Sequence, residues 1–358
     1  MHSLVKRVVS GRRLGTMVGV GAVVALVIAG GTAAGLAIAS GGSPAASPPR
    51  STSAAVGSPK TVVPMTTPTT TPTTVGPPAV ATPTTVPAMP STAVTDASPS
   101  KLISDTCLYS HEANDDPILM PGQTGQSMAH DFFGNGTTSA TSSAASLVGG
   151  SSTCSTSADA SAYWTPVLYQ NGVAITPVRN LIYWAGLHAV DPTVTAPPVG
   201  LEMIAGDENA MTPQSVRVVA WRCAGVQTQV PSAAPVNCAG TNGLELRVTF
   251  PSCWNGTSLN GASQTNVAYP ARSGACPAGD PVRIPTVIFH VIYPITSATG
   301  LTLSMGPGQQ GTTDTAHGDF INGWNQSVLS RLIAGCAGPS ATCGHVTGAD
   351  AVVRPRAV

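Results

Sequence analysis

No cysteine occurs in the first hundred residues of this 358-residue chain, although eight follow. Charge is scarce as well: Asp, Glu, Lys and Arg make up 9% of the sequence and balance to a formal net charge of zero. With neither a basic stripe nor an acidic tail, nucleic acid is not expected as a partner. Aromatic residues reach only 4%, against 38 glycines and 32 prolines, a balance that favours many turns and short strands over long helices. No C-x-x-C pair is present to suggest a structural zinc site, and no phosphate-cradling glycine loop with a lysine. The first hundred residues also lack what a packed core needs. One folded domain is therefore expected, spanning residues 101–350, with a flexible tail at 351–358.

Lys6, Arg7, Arg12 and Arg13 precede an uncharged stretch from Leu14 to Pro49, within which Val18–Ala39 is apolar or small throughout. At 1.5 Å per residue such a helix covers roughly 33 Å, close to the hydrocarbon thickness of a bilayer. Three readings of residues 1–40 fit: an uncleaved transmembrane anchor, a cleavable signal peptide ending near Ala37-Ile38-Ala39, and twin-arginine export through Arg12-Arg13. All three put the rest of the chain outside the cytoplasm, in the membrane-attached form or secreted into the cell wall. Residues 41–100 are Pro, Thr, Ser, Ala and Val with quasi-repeats such as Thr66-Thr67-Pro68-Thr69-Thr70, a composition that stays solvated as a disordered tether.

Eight cysteines, all in the part expected to leave the cytoplasm, point to disulfides. Pairing between sequence neighbours gives Cys107–Cys154, Cys223–Cys238, Cys253–Cys276 and Cys336–Cys343; eight cysteines permit other connectivities.

After residue 160 the apolar residues recur with period two. Leu244, Leu246, Val248 and Phe250 alternate with Glu245, Arg247 and Thr249, a half-buried strand with one wet face. Val216–Trp221 and Leu301–Met305 read the same way, and Val287–Tyr293, apolar on both faces, reads as a central strand with His290 packed inside. Asn171-Gly172 predicts a hairpin between Tyr163–Tyr169 and Val173–Val178, with Pro166 and Pro177 placing it at a sheet edge. A single helix is expected where Phe320, Ile321, Trp324, Val328, Leu332 and Ile333 recur at helical spacing, with Asp319 as N-cap and Gly335 closing it. The expected fold is mainly β, an antiparallel sandwich of jelly-roll type with one late helix.

Asp116-Pro117-Ile118, His130-Asp131-Phe132-Phe133-Gly134-Asn135, Gly200 to Asp207, Phe250-Pro251-Ser252-Cys253-Trp254-Asn255-Gly256, Ala268-Tyr269-Pro270, Cys276-Pro277 and His317-Gly318-Asp319-Phe320 occur in order. In these motifs the chain resembles the DUF1996 family, a secreted domain of bacteria and fungi. The resemblance implies export, and a cell-wall or polysaccharide setting, because some members are fused to carbohydrate-binding modules. The chain departs from the pattern at two places. Met128 stands where relatives carry the first histidine of Ser-His-x-His-Asp-Phe, and Ala262-Ser263-Gln264-Thr265-Asn266 replaces Asp-His-x-x-His.

The polar residues left to carry chemistry are His130, Asp131, His317 and Asp319: a histidine beside a carboxylate can serve as general base or as metal ligand. The plainer alternative is that both histidines bond locally while Asp319 caps the helix. Trp254, in a Gly/Asn-rich loop, is a candidate sugar-stacking platform. His111, Glu112, Asp115 and Asp116 lack the spacing of a calcium loop and read as solvated, and Gly125-Gln126-Ser127-Met128-Ala129 is a poor nucleophile elbow. No residue pattern names a cofactor. The function expected is an exported envelope protein that binds or remodels cell-wall polysaccharide; the alternative is a non-catalytic structural or adhesion module.

Overall fold

Period-two sequences form strands that must find partners on both sides, and the chain solves this with one extended sheet, antiparallel except where β17 joins β1 in parallel. The structure is a computed structural model; it describes residues 101–187, 194–338 and 342–354. The membrane-targeting and tether expectations fall on residues 1–100, outside the described residues. Among the described residues no helix is long and apolar enough to cross a membrane.

The strands in chain order begin with β1 (Ile103–Ala113), β2 (His130–Gly134), β3 (Ala162–Pro166), β4 (Leu168–Gln170), β5 (Val173–Ala174) and β6 (Arg179–Ala185). They continue with β7 (Glu202–Gly206), β8 (Val219–Cys223), β9 (Leu244–Thr249), β10 (Cys253–Trp254), β11 (Val267–Ala268) and β12 (Val282–Arg283). The last are β13 (Thr286–Tyr293), β14 (Leu301–Gly306), β15 (Gln309–Gly311), β16 (His317–Ile321), β17 (Gly344–Thr347) and β18 (Val352–Arg354). A one-turn helix α1 (Ala144–Leu147) and the longer α2 (Gln326–Ala337) complete the described elements of the fold, with one short 3-10 turn at Thr313–Thr315.

The main sheet runs β7-β16-β3-β2-β1-β6-β13-β9-β8, with β17 and β18 added beside β1. The first half of β1 pairs with β6 and the second half with β2, and the register slips between Tyr109 and His111. An irregularity of this kind bends a strand, so β1 carries the sheet round a corner. Two layers then face each other: Tyr163 of β3 lies edge-on to Phe289 of β13 at 5.5 Å, and Phe320 of β16 to Trp184 of β6 at 5.8 Å. At the far ends β7 reaches β9, so the sheet is nearly closed and barrel-like. The mainly β antiparallel character is as expected. The jelly-roll expectation of two separate sheets is corrected, because β1 belongs to both layers. Smaller sheets, β11-β10-β12 and β15-β14-β4-β5, flank the main one.

The strand expectations hold at β9, β13 and β14, and β13 is central, between β6 and β9. The wet face assigned to β9 is not wet at Glu245, which is buried and bonded to His290 Nδ1 at 2.7 Å and to the Arg222 guanidinium. Burial opposes ionisation of Glu245, but His290 and Arg222 outweigh it and hold the carboxyl below its ordinary value. Asn171 and Gly172 both take positive φ, 50° and 82°, as the Asn-Gly turn requires. Pro166 closes β3 inside the main sheet rather than marking an edge.

The helix begins later than its periodicity suggests. Phe320 and Ile321 are strand residues paired to both β3 and β7, and Asn325, whose side chain accepts from the Val328 N–H, is the N-cap. Gly323 breaks the run: a Cβ there would lie 2.4 Å from the Ala160 carbonyl oxygen. Gly335 lies within α2, whose C-cap is Gly338; Leu329, Leu332, Ile333 and Cys336 form its buried stripe. Each such fully buried apolar side chain contributes about 1.5–3 kcal/mol.

All four expected disulfides are present, and the described residues contain no free cysteine. Beside Cys107–Cys154 lies a buried acid pair. Asp159 accepts from the Tyr163 hydroxyl at 2.7 Å, and Asp105 accepts from the Ser155 hydroxyl. Their proximity to the two sulfurs does not make a metal site, since the disulfide has consumed both thiolates. Burial raises Asp159 to about 6, and burial together with the Asp159 charge raises Asp105 well above its ordinary value. A carboxyl that holds its proton more tightly folded than unfolded adds stability below its ordinary value, 3.8 for Asp159, and withdraws it as pH rises through the folded value. The melting temperature of the protein should therefore fall between about pH 4 and pH 6, and Asp159→Asn should flatten that slope. Parallel thermal melts across this range check it, and an equal slope in the variant would refute the assignment.

Candidate functional site

The outer face of the second layer would meet water if nothing covered it. The segment 114–129 between β1 and β2 does so, laying Ile118 and Leu119 on Phe132, Trp164, Ile204 and Ile321. Two aspartates hold this segment in shape. Asp115 accepts from the N–H groups of Gly125 and Ala140, and Asp116 from those of Ile118 and Leu119. Both are buried, so the solvated-loop expectation for Asp115 and Asp116 is corrected. His111 bonds Ser110 and the Thr138 carbonyl and stacks on Phe132, which is a local structural role.

Beneath this cover three of the expected site residues meet. His130 opens β2, while His317 and Asp319 are alternate residues of β16 and so share its outer face. The close pairing of β7 with β16 requires Gly206, whose φ is 94°; a Cβ there would come within 2.9 Å of His317 Cα. The ligating atoms of His130, His317 and Asp319 all lie within 4.8 Å of one another, and the three side chains are at most 1% exposed. The imidazole rings are 5.8 Å apart, centroid to centroid. His130 Nδ1 lies 3.0 Å from the Asp115 carbonyl oxygen and His317 Nδ1 lies 2.8 Å from that of Thr315. A carbonyl accepts only, so both rings carry the proton on Nδ1 and present the Nε2 lone pair.

Those lone pairs have no partner. His130 Nε2, His317 Nε2 and both carboxylate oxygens of Asp319 are buried and make no hydrogen bond; His317 Nε2 is 3.5 Å from Asp319 Oδ2 without hydrogen-bond geometry. Burial, then the neighbouring His317, lowers His130 to about 3. Burial lowers His317 too, so both rings stay neutral, the form that ligates metals. Burial raises Asp319 well above its ordinary value, and Asp116 and Glu208 add to the rise.

Asp131 is not part of this group. As the neighbour of His130 in an extended strand it faces the other side, where its charge acts on Tyr293 and Tyr109. Asp319 caps no helix. Trp254 lies in the small β11-β10-β12 sheet, half-buried against the core, with its indole N–H donated to the Ser258 carbonyl at 2.7 Å. Ser127 is buried and Met128 lines a cleft beside Asp116 rather than an elbow. The sequence reading missed that cleft, which Asp116, Leu119, Met120, Met128, Glu208 and Met305 help to wall.

A family described as Domain of unknown function (DUF1996) matches residues 116–324. The chain belongs to the DUF1996 family. The match starts at Asp116 and ends at Trp324, so the DUF1996 region contains all three clustered residues and the whole lining of the cleft. No curated protein and no solved structure matches the chain.

Proposed function

We propose that the domain is a metal-binding module of the cell envelope, with a transition-metal ion held by His130 Nε2, His317 Nε2 and an oxygen of Asp319. The observation that carries this reading is four buried, unpaired ligand atoms from these three residues, converging with both imidazoles already oriented by backbone carbonyls. An unpaired buried polar atom costs about 1–3 kcal/mol, and several together in one place need a partner. Nδ1–H bonded to a carbonyl with Nε2 free is how proteins aim histidine at a metal. Imidazole with carboxylate suits zinc, copper, nickel or iron, bound at about 2.0–2.2 Å, which would draw the three groups closer than their present spacing.

The envelope setting rests on Val18–Ala39 and the Pro/Thr-rich tether. Cell-wall polysaccharide is the partner we propose for the module from that setting and from the family's fusions to carbohydrate-binding modules. A glycan array probed with the purified chain tests this, and silence across wall polysaccharides rejects it. The metal reading is tested by cobalt titration of chelator-treated protein. Visible absorption bands saturating at about one ion per chain are expected, and His317→Ala and His130→Ala should each weaken binding by at least about tenfold. Absence of a stoichiometric ion in the wild-type protein would leave the structural or adhesion module as the better reading.

A further inference from the structure

Five methionines follow residue 100. Met203 is buried in the core and Met211 is exposed on a loop, but Met120, Met128 and Met305 line one cleft of about 170 Å³. They come from two parts of the chain: Met120 and Met128 from the covering segment 114–129, and Met305 from β14. The same cleft is walled by two carboxylates, Asp116 and Glu208. Asp116 also ties the cleft to the centre below it. It is buried, its charge reaches both His317 and Asp319, and the preceding residue supplies the carbonyl that orients His130.

Flexible thioethers fill irregular gaps in many cores, and two or three together need no ligand. Here they occupy an opening instead of a core, and acids accompany them. Asp116 and Glu208 both line the cleft, and Asp116 lies near enough to His317 and Asp319 for its charge to act on them. An acidic opening attracts a cation. A hard cation would take carboxylates and water and gain nothing from sulfur, whereas thioethers select soft metals, Cu(I) foremost.

We propose that the Met120–Met128–Met305 cleft captures Cu(I) and passes it inward to His130, His317 and Asp319. The inference rests on the metal-centre reading and deepens it by naming the ion and its way in. Capture is ligand exchange only: the ion leaves water or a carrier for thioether sulfur, keeps its charge, and moves on to imidazole nitrogen.

The test uses the full chain, with Ag(I) as a redox-inert probe by calorimetry and Cu(I) under ascorbate in competition with a chromogenic chelator. Leucine replaces methionine with little change of volume, so the triple variant M120L/M128L/M305L should fold, as its melting curve will verify. Loss of Ag(I) and Cu(I) affinity by about tenfold or more is expected in this variant, with cobalt binding changed by less than about twofold. Soft-metal affinity that survives the three leucines overturns the proposal, even where His130→Ala abolishes it. Failure of cobalt to bind the wild-type protein is a different result: it removes the histidine centre, while Ag(I) capture by the methionines stays readable in the same titration.

Discussion

Replacing Cys107 and Cys154 together by serine should lower the stability of the folded domain by about 4 kcal/mol, the largest single loss among the crosslinks. The estimate follows from chain entropy, because this bridge closes the longest loop, 47 residues, whereas Cys336–Cys343 closes only 7 and should be worth about 2 kcal/mol. The bridges of 15 and 23 residues fall between. Taken together the four approach the entire net stability of an ordinary domain, about 5–15 kcal/mol, so reduced protein should have no cooperative transition at 37 °C. Urea melts of the paired serine variants check the order. A Cys336–Cys343 variant that loses more than the Cys107–Cys154 variant would show that local strain, and not loop closure, governs these bonds.

Asp319→Asn should act with opposite sign in two conditions. Without metal the wild-type protein buries a carboxyl group that makes no hydrogen bond, beside two unpaired imidazole nitrogens. A carboxamide of the same shape removes the group that burial penalises most, and the metal-free variant should be more stable by about 1–3 kcal/mol. For a domain of this size that is a rise of several degrees, at about 2–4 °C for each kcal/mol. With metal at about a hundred times its dissociation constant, wild-type protein should gain about 2.7 kcal/mol, and the variant should lose most of that gain. Differential scanning calorimetry with and without zinc reads both effects. A variant that melts lower than wild type when metal-free would mean that Asp319 has a structural partner and is not held for a ligand.

The sequence announced some of this more clearly than the rest. Period two in Leu244–Phe250 and Val287–Tyr293 marked real strands, because burial of alternate residues leaves its trace in composition wherever one face meets the core. Asn171-Gly172 was legible for a local reason, since few other pairs tolerate two positive φ values in succession. Phe320 and Ile321 misled because two adjacent apolar residues fit either period, and only pairing with β3 and β7 decides between them. The contacts of Glu245 were invisible for a similar reason: alternation assigns faces but cannot tell which outer face gains a His290 and an Arg222. At the site, His130, His317 and Asp319 were nameable as chemically capable residues, yet nothing in spacing joins positions 187 residues apart. Strand alternation could have separated His130 from Asp131, had β2 been recognised. The role of Asp116 and the three methionines depends on how segment 114–129 lies over the sheet, a tertiary fact with no local signature.

The corner strand has a mechanical consequence. β1 is the first element after the hundred leading residues, and it is stitched to β6 and β17 on one stretch and to β2 on the next. A pull on the chain at Lys101 would not peel a terminal edge one rung at a time. It would load the middle of the sheet lengthwise, where many hydrogen bonds must give way at once and where Cys107 is pinned to Cys154. A force applied at Lys101 along β1 therefore acts as shear, the direction in which a β-sheet yields last.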